Sequence, residues 1–409
     1  MVGDKRPYLM ALDFGTGAGR CVLMSADGKQ HNSAYSEWVF DAPPDAQPGG
    51  WCFDPVKFWA VLGDVSRAAM KRADIRADQV IAVSTTSLRE GFVLLDATGK
   101  EIWAVPNRDA RSFRESMELS PRLGQQMNDI SGHWVNPIMA PARFLWLQRH
   151  APEIVARART LLMVNDWMVY RLCGEKACEP TNAAETCLYD IAKNRWSDDL
   201  IHACGLPRSI FPPIAPGGHV LGKVTPAAAD ATGLRVGTPV VVGGADTECG
   251  VLGSGALEPG HTACVAGTST CNQMALSAPL IDQKGRTWSS PHVPPGRWVL
   301  ESNAGLSGST LRWFRDSFYR AEMREAATTG RDVYDLMDEE ACQSPIGSNG
   351  VVALLGGNLF NASRVFGDGL EGLVVFGSEN HFPFGRLKMH PFHSRDQLFS
   401  IGGTGFCKT

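Results

Sequence analysis

The chain has 409 residues, beyond the roughly 250–300 at which a single hydrophobic core usually stops growing, so two domains are expected. With 44% apolar and 20% charged residues it has the balance of an ordinary soluble globular protein, and a formal net charge of −4 leaves no electrostatic footprint for nucleic acid or an anionic membrane. No apolar run approaches the roughly 20 residues of a membrane-spanning helix, a secretory signal is not expected from the opening "MVGDKRPYLMALDFG", and 11 scattered cysteines without a C-x-x-C pair fit small buried side chains in a reducing cytoplasm.

The expected elements begin with a meander. "YLMALD" is a short apolar strand ending on an acid, followed by the turn "FGTGAG", the strand "RCVLMSA", the turn "DGK" and the strand "HNSAYSEWVF". Strand–turn–strand is not the strand–turn–helix of a Rossmann or P-loop fold, and no Walker lysine follows the glycines. A helix reads at "DPVKFWAVLGDVSRAAMKRA", with Asp54 as cap, Pro55 in the first turn, and Phe58, Leu62, Val65 and Ala69 on one face. "QVIAVSTTS" and "FVLLDATGKEIW" read as strands, the second turning at Ala97–Lys100. Helices follow at about 141–158, 165–172 and 197–204, then at "TPAAADATGL" between Pro226 and Gly233. "TPVVVGGADTECG" is a buried strand breaking into glycines. A second meander then starts at "TACVAGTSTCNQMAL", continues at "WVLESNAG" and leads to a helix at "STLRWFRDSFYRAEMREA". The second half thus restarts the pattern of the first, as in a hinged, two-domain nucleotide-binding enzyme.

Several groups along this frame carry chemistry. In "DFGTGAGR", Asp13 ends a strand, and the small-residue turn of Gly15, Thr16 and Gly17 leaves backbone N–H groups for an anion, with Asp13 suited to hold Mg²⁺ through water and Arg20 nearby. A turn that merely needs positive φ would look the same. Gly267 and Thr268 form a second Gly-Thr turn of the same make, and the pair suggests a polyphosphate as joint target. Asp246, just after a buried strand, is placed to accept a proton from a hydroxyl, although an acid there would also cap the next turn. Arg89 and Glu90, with Trp103, Asn107, Asp109 and Arg111, could bind vicinal hydroxyls by paired hydrogen bonds while the indole packs the carbon face; surface salt bridging is the plainer alternative. "HPFH" at His390–His393 lacks metal-ligand partners and reads as loop.

Taken in order from about residue 8 to about 355, "ALDFGTGAGRCVLMSADGK", "REGFVLLDATGKEIWAVPNRDARS", "NDWMVYRLCGE", "EPTNAAETCLYDIAKNRWSDDLI", "GLRVGTPVVVGGADTECGVLGSG" and "STLRWFRDSF" resemble the FGGY carbohydrate kinases, and within them most of all the autoinducer-2 kinase branch. The resemblance implies an α/β fold of two ribonuclease-H-like domains of the sugar kinase/actin/Hsp70 type around a cleft. The expected division is a sugar-binding domain over 1–250 and an ATP-binding domain over 251–409 with an atypical tail from about 363. It further implies ATP and Mg²⁺ as cofactors and a small sugar, polyol or autoinducer-2-like dihydroxyketone as substrate. Asp246 would be the general base and Asp13 the acid near the metal. Gly15–Gly17, Gly267–Thr268 and Gly308 would contact phosphate, and Arg89, Glu90 and Asp109 the sugar. The chain would be cytoplasmic, without nucleic-acid or membrane partners, and a homodimer stays open. The likeness fades after "NGVVALLGGNLFNASR", where "SIGGTGFCKT" only faintly echoes the family's adenosine motif. A shortened second domain is therefore expected, and a relative that binds sugar without phosphoryl transfer is the alternative function.

Overall fold

A computed structural model describes residues 6–29, 31–46, 49–267, 269–303, 307–348, 352–355 and 373–376. Strands β1 (Tyr8–Phe14), β2 (Ala18–Ser25) and β3 (His31–Glu37) form the antiparallel meander that the turn residues imply. Every second side chain of β1 is buried, which is the period of a half-buried strand. Helix α1 (Pro55–Arg72) starts where expected, the Asp54 carboxylate accepting from the Val56 N–H. β4 (Val80–Ser87) lies parallel to β1, and β5 (Phe92–Leu95) pairs antiparallel with β6 (Glu101–Val105).

Helix α2 (Phe113–Ser131) has no counterpart among the expected elements. The helix expected over 141–158 is two, α3 (Ala140–His150) and α4 (Pro152–Arg157), because Pro152 drives Ala151 out of helical geometry to φ −148°. Next come β7 (Thr160–Met163), antiparallel to β5, then α5 (Val164–Cys173), α6 (Pro180–Ala184), β8 (Tyr189–Asp190), β9 (Arg195–Trp196) and α7 (Asp198–Ala203), capped by Ser197. β10 (Val220–Lys223), α8 (Pro226–Thr232), β11 (Pro239–Ala245) and α9 (Asp246–Gly253) complete the run. Gly233 ends α8 at φ +78°, a left-handed cap that favours glycine.

The main sheet has the order β10-β11-β4-β1-β2-β3: an antiparallel meander continued by two parallel strands, the ribonuclease-H-like arrangement, with β10 added antiparallel at the edge beside β11. One core lies between this sheet and α1, α5 and α8, built from Leu12, Phe14, Leu23, Phe58, Leu62 and Trp167 among others. Phe14 is fully buried, with its ring 4.5 Å from that of Trp38 and 5.5 Å from that of Phe58. A second core lies between β5–β7 and helices α2, α3 and α7. β5 serves both: Val93 and Leu95 face the first, Phe92 and Leu94 the second.

β12 (Thr262–Ala266), β13 (Thr270–Leu276), β14 (Trp288–Pro291) and β15 (Trp298–Asn303) form a further sheet in the order β12-β13-β15-β14. Of the described residues, those up to Val265 together with Cys271–Asn303 make one compact unit. Ala266–Thr270 and those from Ser307 onward (apart from a short stretch outside the described residues) belong to a second. The second unit holds α10 (Ser307–Phe318), α11 (Arg320–Thr329), α12 (Val333–Ala341) and the antiparallel pair β16 (Val352–Leu355) and β17 (Leu373–Phe376). The single helix expected over 309–326 is broken at Tyr319, which leaves helical geometry at ψ +34°. Of the tail from 363 only Leu373–Phe376 is described; His390–His393 and "SIGGTGFCKT" lie outside the described residues. No helix among the described residues is long and apolar enough to cross a membrane.

Candidate active site

Asp13 stands in β1 opposite Arg20 of β2, whose Nη1 donates to Asp13 Oδ2 at 3.0 Å. The other oxygen, Oδ1, is buried without a hydrogen-bond partner in the structure. Burial pushes the Asp13 carboxyl above its ordinary range, with Arg20 opposing. The turn Gly15–Gly17 is closed by the Gly15 N–H on Ala18 O at 3.0 Å, and Trp38 Nε1 holds Gly15 O at 3.1 Å. The N–H groups of Thr16 and Gly17 bond to nothing among the described residues. None of Gly15, Gly17 and Gly19 has positive φ, so left-handed geometry is not why glycine stands there. At Gly19 the reason is space, since a Cβ would lie 2.5 Å from the Trp38 ring. The Thr16 hydroxyl accepts from Asn107 Nδ2 at 3.0 Å, which ties this turn to the "NRDAR" loop.

Asp246 opens α9 at the end of β11. Its Oδ1 accepts from the Thr247 N–H at 2.8 Å and the Thr247 hydroxyl at 3.2 Å, while Oδ2 has no hydrogen bond among the described residues. Burial, then the nearby Asp13 charge, push the carboxyl up to about 6, with Arg89 opposing. The turn thus places an acid, half-buried and poised near neutrality, within electrostatic reach of Asp13 and Arg89. Such an acid can accept a proton at physiological pH.

Arg89 is the centre of a buried polar cluster that the sequence reading did not contain. Its guanidinium forks onto Glu301, Nη1 to Oε2 at 2.5 Å and Nη2 to Oε1 at 2.9 Å. Nη1 also lies 3.6 Å from Glu185 Oε1 and 3.8 Å from Glu248 Oε1. Gln273 Nε2 bridges Glu248 and Glu301 at 2.8 and 2.7 Å, and His133 Nε2 stands 3.5 Å from Glu185. Burial works to raise the Glu301 carboxyl, yet Arg89 holds it at about 2; Glu248, less favourably placed, is pushed up to about 8. Glu90, next in the chain, is at φ +57°, and burial followed by the Glu185 charge raises its carboxyl well above the usual range. No hydrogen bond engages that carboxylate among the described residues. Of the expected sugar-binding pair, then, Glu90 is open and Arg89 is already committed to Glu301.

Asp109 is fully buried. Its Oδ1 accepts from the Trp51 N–H at 2.9 Å and Arg111 Nε at 2.6 Å, and Oδ2 faces Arg143 Nε at 3.3 Å. Arg143, also fully buried on α3, donates to Glu90 O at 2.6 Å and to Pro106 O and Asp109 O at 2.7 Å each, so one guanidinium holds the 89–90 and 106–109 loops together. A lone arginine in the apolar run "APARFLWL" was the available signal for it. Trp103 on β6 packs beside Phe92 at 5.3 Å and under the Arg111 guanidinium at 5.6 Å, in the second core's wall.

In the second unit the Gly267 N–H donates forward to Ser269 O at 2.8 Å, a closure one residue tighter than that of Gly15 on Ala18. Thr268 lies outside the described residues. The Thr270 hydroxyl hydrogen-bonds the Ser307 hydroxyl at the start of α10, and Gly308 follows in that helix's first turn, where N–H groups point out along the axis.

Residues 8–253 match the model of the FGGY family of carbohydrate kinases, N-terminal domain. The chain is 39% identical over 351 residues to autoinducer-2 kinase of Salmonella paratyphi A, covering 85% of this chain and 66% of that protein. It is 38% identical over 357 residues to the Escherichia coli K12 autoinducer-2 kinase, covering 86% and 67%. It therefore spans about two thirds of the length of these relatives. Among solved structures, a xylulose kinase from Rhodospirillum rubrum superposes with a TM-score of 0.75 at 24% identity, over 92% of this chain and 74% of that one. A gluconate kinase from Lactobacillus acidophilus gives 0.73 at 20%, over 85% and 68%. The sheet order and these matches agree: the chain belongs to the FGGY family of carbohydrate kinases.

Proposed function

We propose that this chain phosphorylates a hydroxyl of a small sugar, polyol or autoinducer-2-like dihydroxyketone at the expense of ATP, with Asp246 as general base. The observation that carries the reading is the Asp246 carboxylate: Oδ1 is held by Thr247, Oδ2 is unengaged among the described residues, and the group titrates at about 6. Around neutral pH it is mostly ionised yet basic enough to take a hydroxyl proton as the oxygen attacks, help worth about 10²–10⁴-fold in rate. Glu90, unengaged and beside Asp246 electrostatically, would accept hydrogen bonds from substrate hydroxyls, and Arg89 would present its remaining edge to them. Asp109 and Trp103 would shape the sugar loop, Asp109 through Arg111 and Arg143.

The donor set near Asp13 fits a hydrated divalent cation. Its Oδ1 is buried and orphaned, an acceptor for a metal-bound water, while Arg20 satisfies the other oxygen. Mg²⁺ would supply neutralisation of phosphate charge. The unpartnered N–H groups of Thr16 and Gly17 would hold phosphate oxygens, and Gly267, Thr268 and Gly308 are assigned to phosphate by the same family reading.

A coupled ADP-release assay over glycerol, gluconate, xylulose and autoinducer-2 tests this. Turnover with at least one acceptor and Mg²⁺ is expected. Acceptor binding by calorimetry with no ADP release from any of them would replace the reading by a sugar-binding protein without phosphoryl transfer.

A further inference from the structure

The end of β11 is unusually crowded. A Cβ on Gly243 would lie 1.6 Å from Thr85 O, and one on Gly244 would meet Val293 Cγ2 at 2.8 Å, Cys249 Sγ at 3.3 Å and Thr181 Oγ1 at 3.4 Å. The ladder between β11 and β4 is irregular between Val241 and Gly244 and resumes at Gly244 and Ala245, where side chains add hydrogen bonds to the junction peptide. Two threonines from separate elements supply them. Thr86 Oγ1 on β4 donates to Gly244 O at 2.9 Å, and the Ala245 N–H donates to Thr181 Oγ1 on α6 at 2.9 Å. Gly244 C=O and Ala245 N–H are the two polar groups of one peptide plane, and the next residue is Asp246.

We propose that Thr86 and Thr181 are positioning residues for Asp246, clamping the Gly244–Ala245 peptide from both sides so that the carboxylate leaves a fixed strand–helix junction. The direction of the second bond is set in turn. The Thr181 hydroxyl donates to Glu179 Oε2, which also accepts from the Thr181 N–H at 2.9 Å and the Asn182 N–H at 3.1 Å. With its hydrogen committed there, the Thr181 oxygen can only accept, and the donor facing it is Ala245. Neither threonine touches the reacting atoms on this reading. They act through the backbone, and a displacement of the order of 1 Å at a reacting group can lower turnover about 100-fold. The inference rests on the assignment of Asp246 as base.

The test compares Thr181→Val and Thr86→Val with Thr181→Ser and Thr86→Ser in the full chain. Valine keeps the volume and removes the hydroxyl; serine restores the hydroxyl. In the coupled assay each valine variant should lower kcat about 10–100-fold with the KM values for acceptor and ATP changed less than about 3-fold, and each serine variant should recover most of the loss. Valine variants that fold and keep wild-type kcat, or serine variants as impaired as valine, overturn the proposal. Thr86 is partly exposed, so its valine variant remains informative should Thr181→Val not fold. A second readout needs no turnover: the ¹³C titration of the Asp246 carboxyl, which feels burial, Asp13, Arg89 and Thr247. Loosening the junction should let the midpoint fall from about 6 toward the ordinary aspartate value in the valine variants only. An unchanged midpoint in both overturns the clamp. If wild type has no activity, the assignment of function fails while the titration still decides whether the clamp exists.

Discussion

Asp246→Asn is expected to remove activity and to stabilise the fold, an opposition that separates a base held under strain from a mere helix cap. The Asp246 carboxyl is raised from 3.8 to about 6, burial first and Asp13 second. A carboxyl whose folded value lies above its unfolded value stabilises the fold in its neutral form. That contribution is complete below pH 3.8 and is lost as the pH rises through about 6. Two pH units at 1.36 kcal/mol each set a ceiling of about 3 kcal/mol, and the residual hydration of a half-buried group lowers this to about 1–3 kcal/mol at pH 7.5. Asparagine carries no charge to desolvate, and its amide oxygen can still accept both donors of Thr247. The variant should therefore lose about 10²–10⁴-fold in kcat in the coupled assay. In urea titrations followed by tryptophan fluorescence it should gain about 1–3 kcal/mol at pH 7.5, narrowing as the pH falls toward 4. Wild-type kcat/KM should rise with pH, be half-maximal near 6 and level off above. A variant that keeps wild-type turnover, or that is less stable than wild type at pH 7.5, would refute the reasoning.

Asp13→Asn should move the acid limb of the wild-type pH profile below about 6, because the Asp13 charge is one of the causes that raise Asp246, and should raise the Mg²⁺ concentration needed for half-maximal rate. An unmoved limb would show that the two carboxylates do not interact. Arg89→Ala removes the cation from among Glu185, Glu248 and Glu301, and a loss of about 3–5 kcal/mol is expected in urea unfolding. Arg89→Lys, which keeps the charge but not the fork on Glu301, should fall between the alanine variant and wild type. Gly243→Ala should destabilise by more than about 3 kcal/mol, since its Cβ would meet a backbone carbonyl of β4 that no rotamer change relieves; a variant within 1 kcal/mol of wild type would contradict the close strand packing.

The local framework was largely legible. The first meander, the Asp54 and Ser197 caps, the Gly233 stop and the placement of Asp246 just past a buried strand all appear where the residues put them. Helix α2 was not legible because its buried face carries Glu115, Ser116, Asn128 and Ser131 as well as Leu119 and Met127, which blurs the apolar period, and Pro121 and Gly124 sit in mid-helix. β14 escaped for a related reason: "WSSP" buries two serines, and hydroxyls do not announce a strand. Nor do its chain neighbours reveal that Phe14 is packed among the rings of Trp38, Phe40, Phe53, Phe58 and Trp167.

By itself the sequence determined what depends on neighbours in the chain: turns from glycine and aspartate, strands from alternation, and the acids at the C-terminal ends of β1 and β11. Those patterns are local because backbone sterics and capping hydrogen bonds act over a few residues. Only the tertiary structure decided what each acid meets. Arg89 is compensated by Glu301, 212 positions away, with Glu185 and Glu248 arriving from two other elements. The carbonyls that Arg143 gathers and the peptide that Thr86 and Thr181 grip are likewise assembled across the fold. Burying a charge or a peptide group demands a partner, but the demand fixes no spacing along the chain, so the partner's identity emerges only when the strands and helices converge.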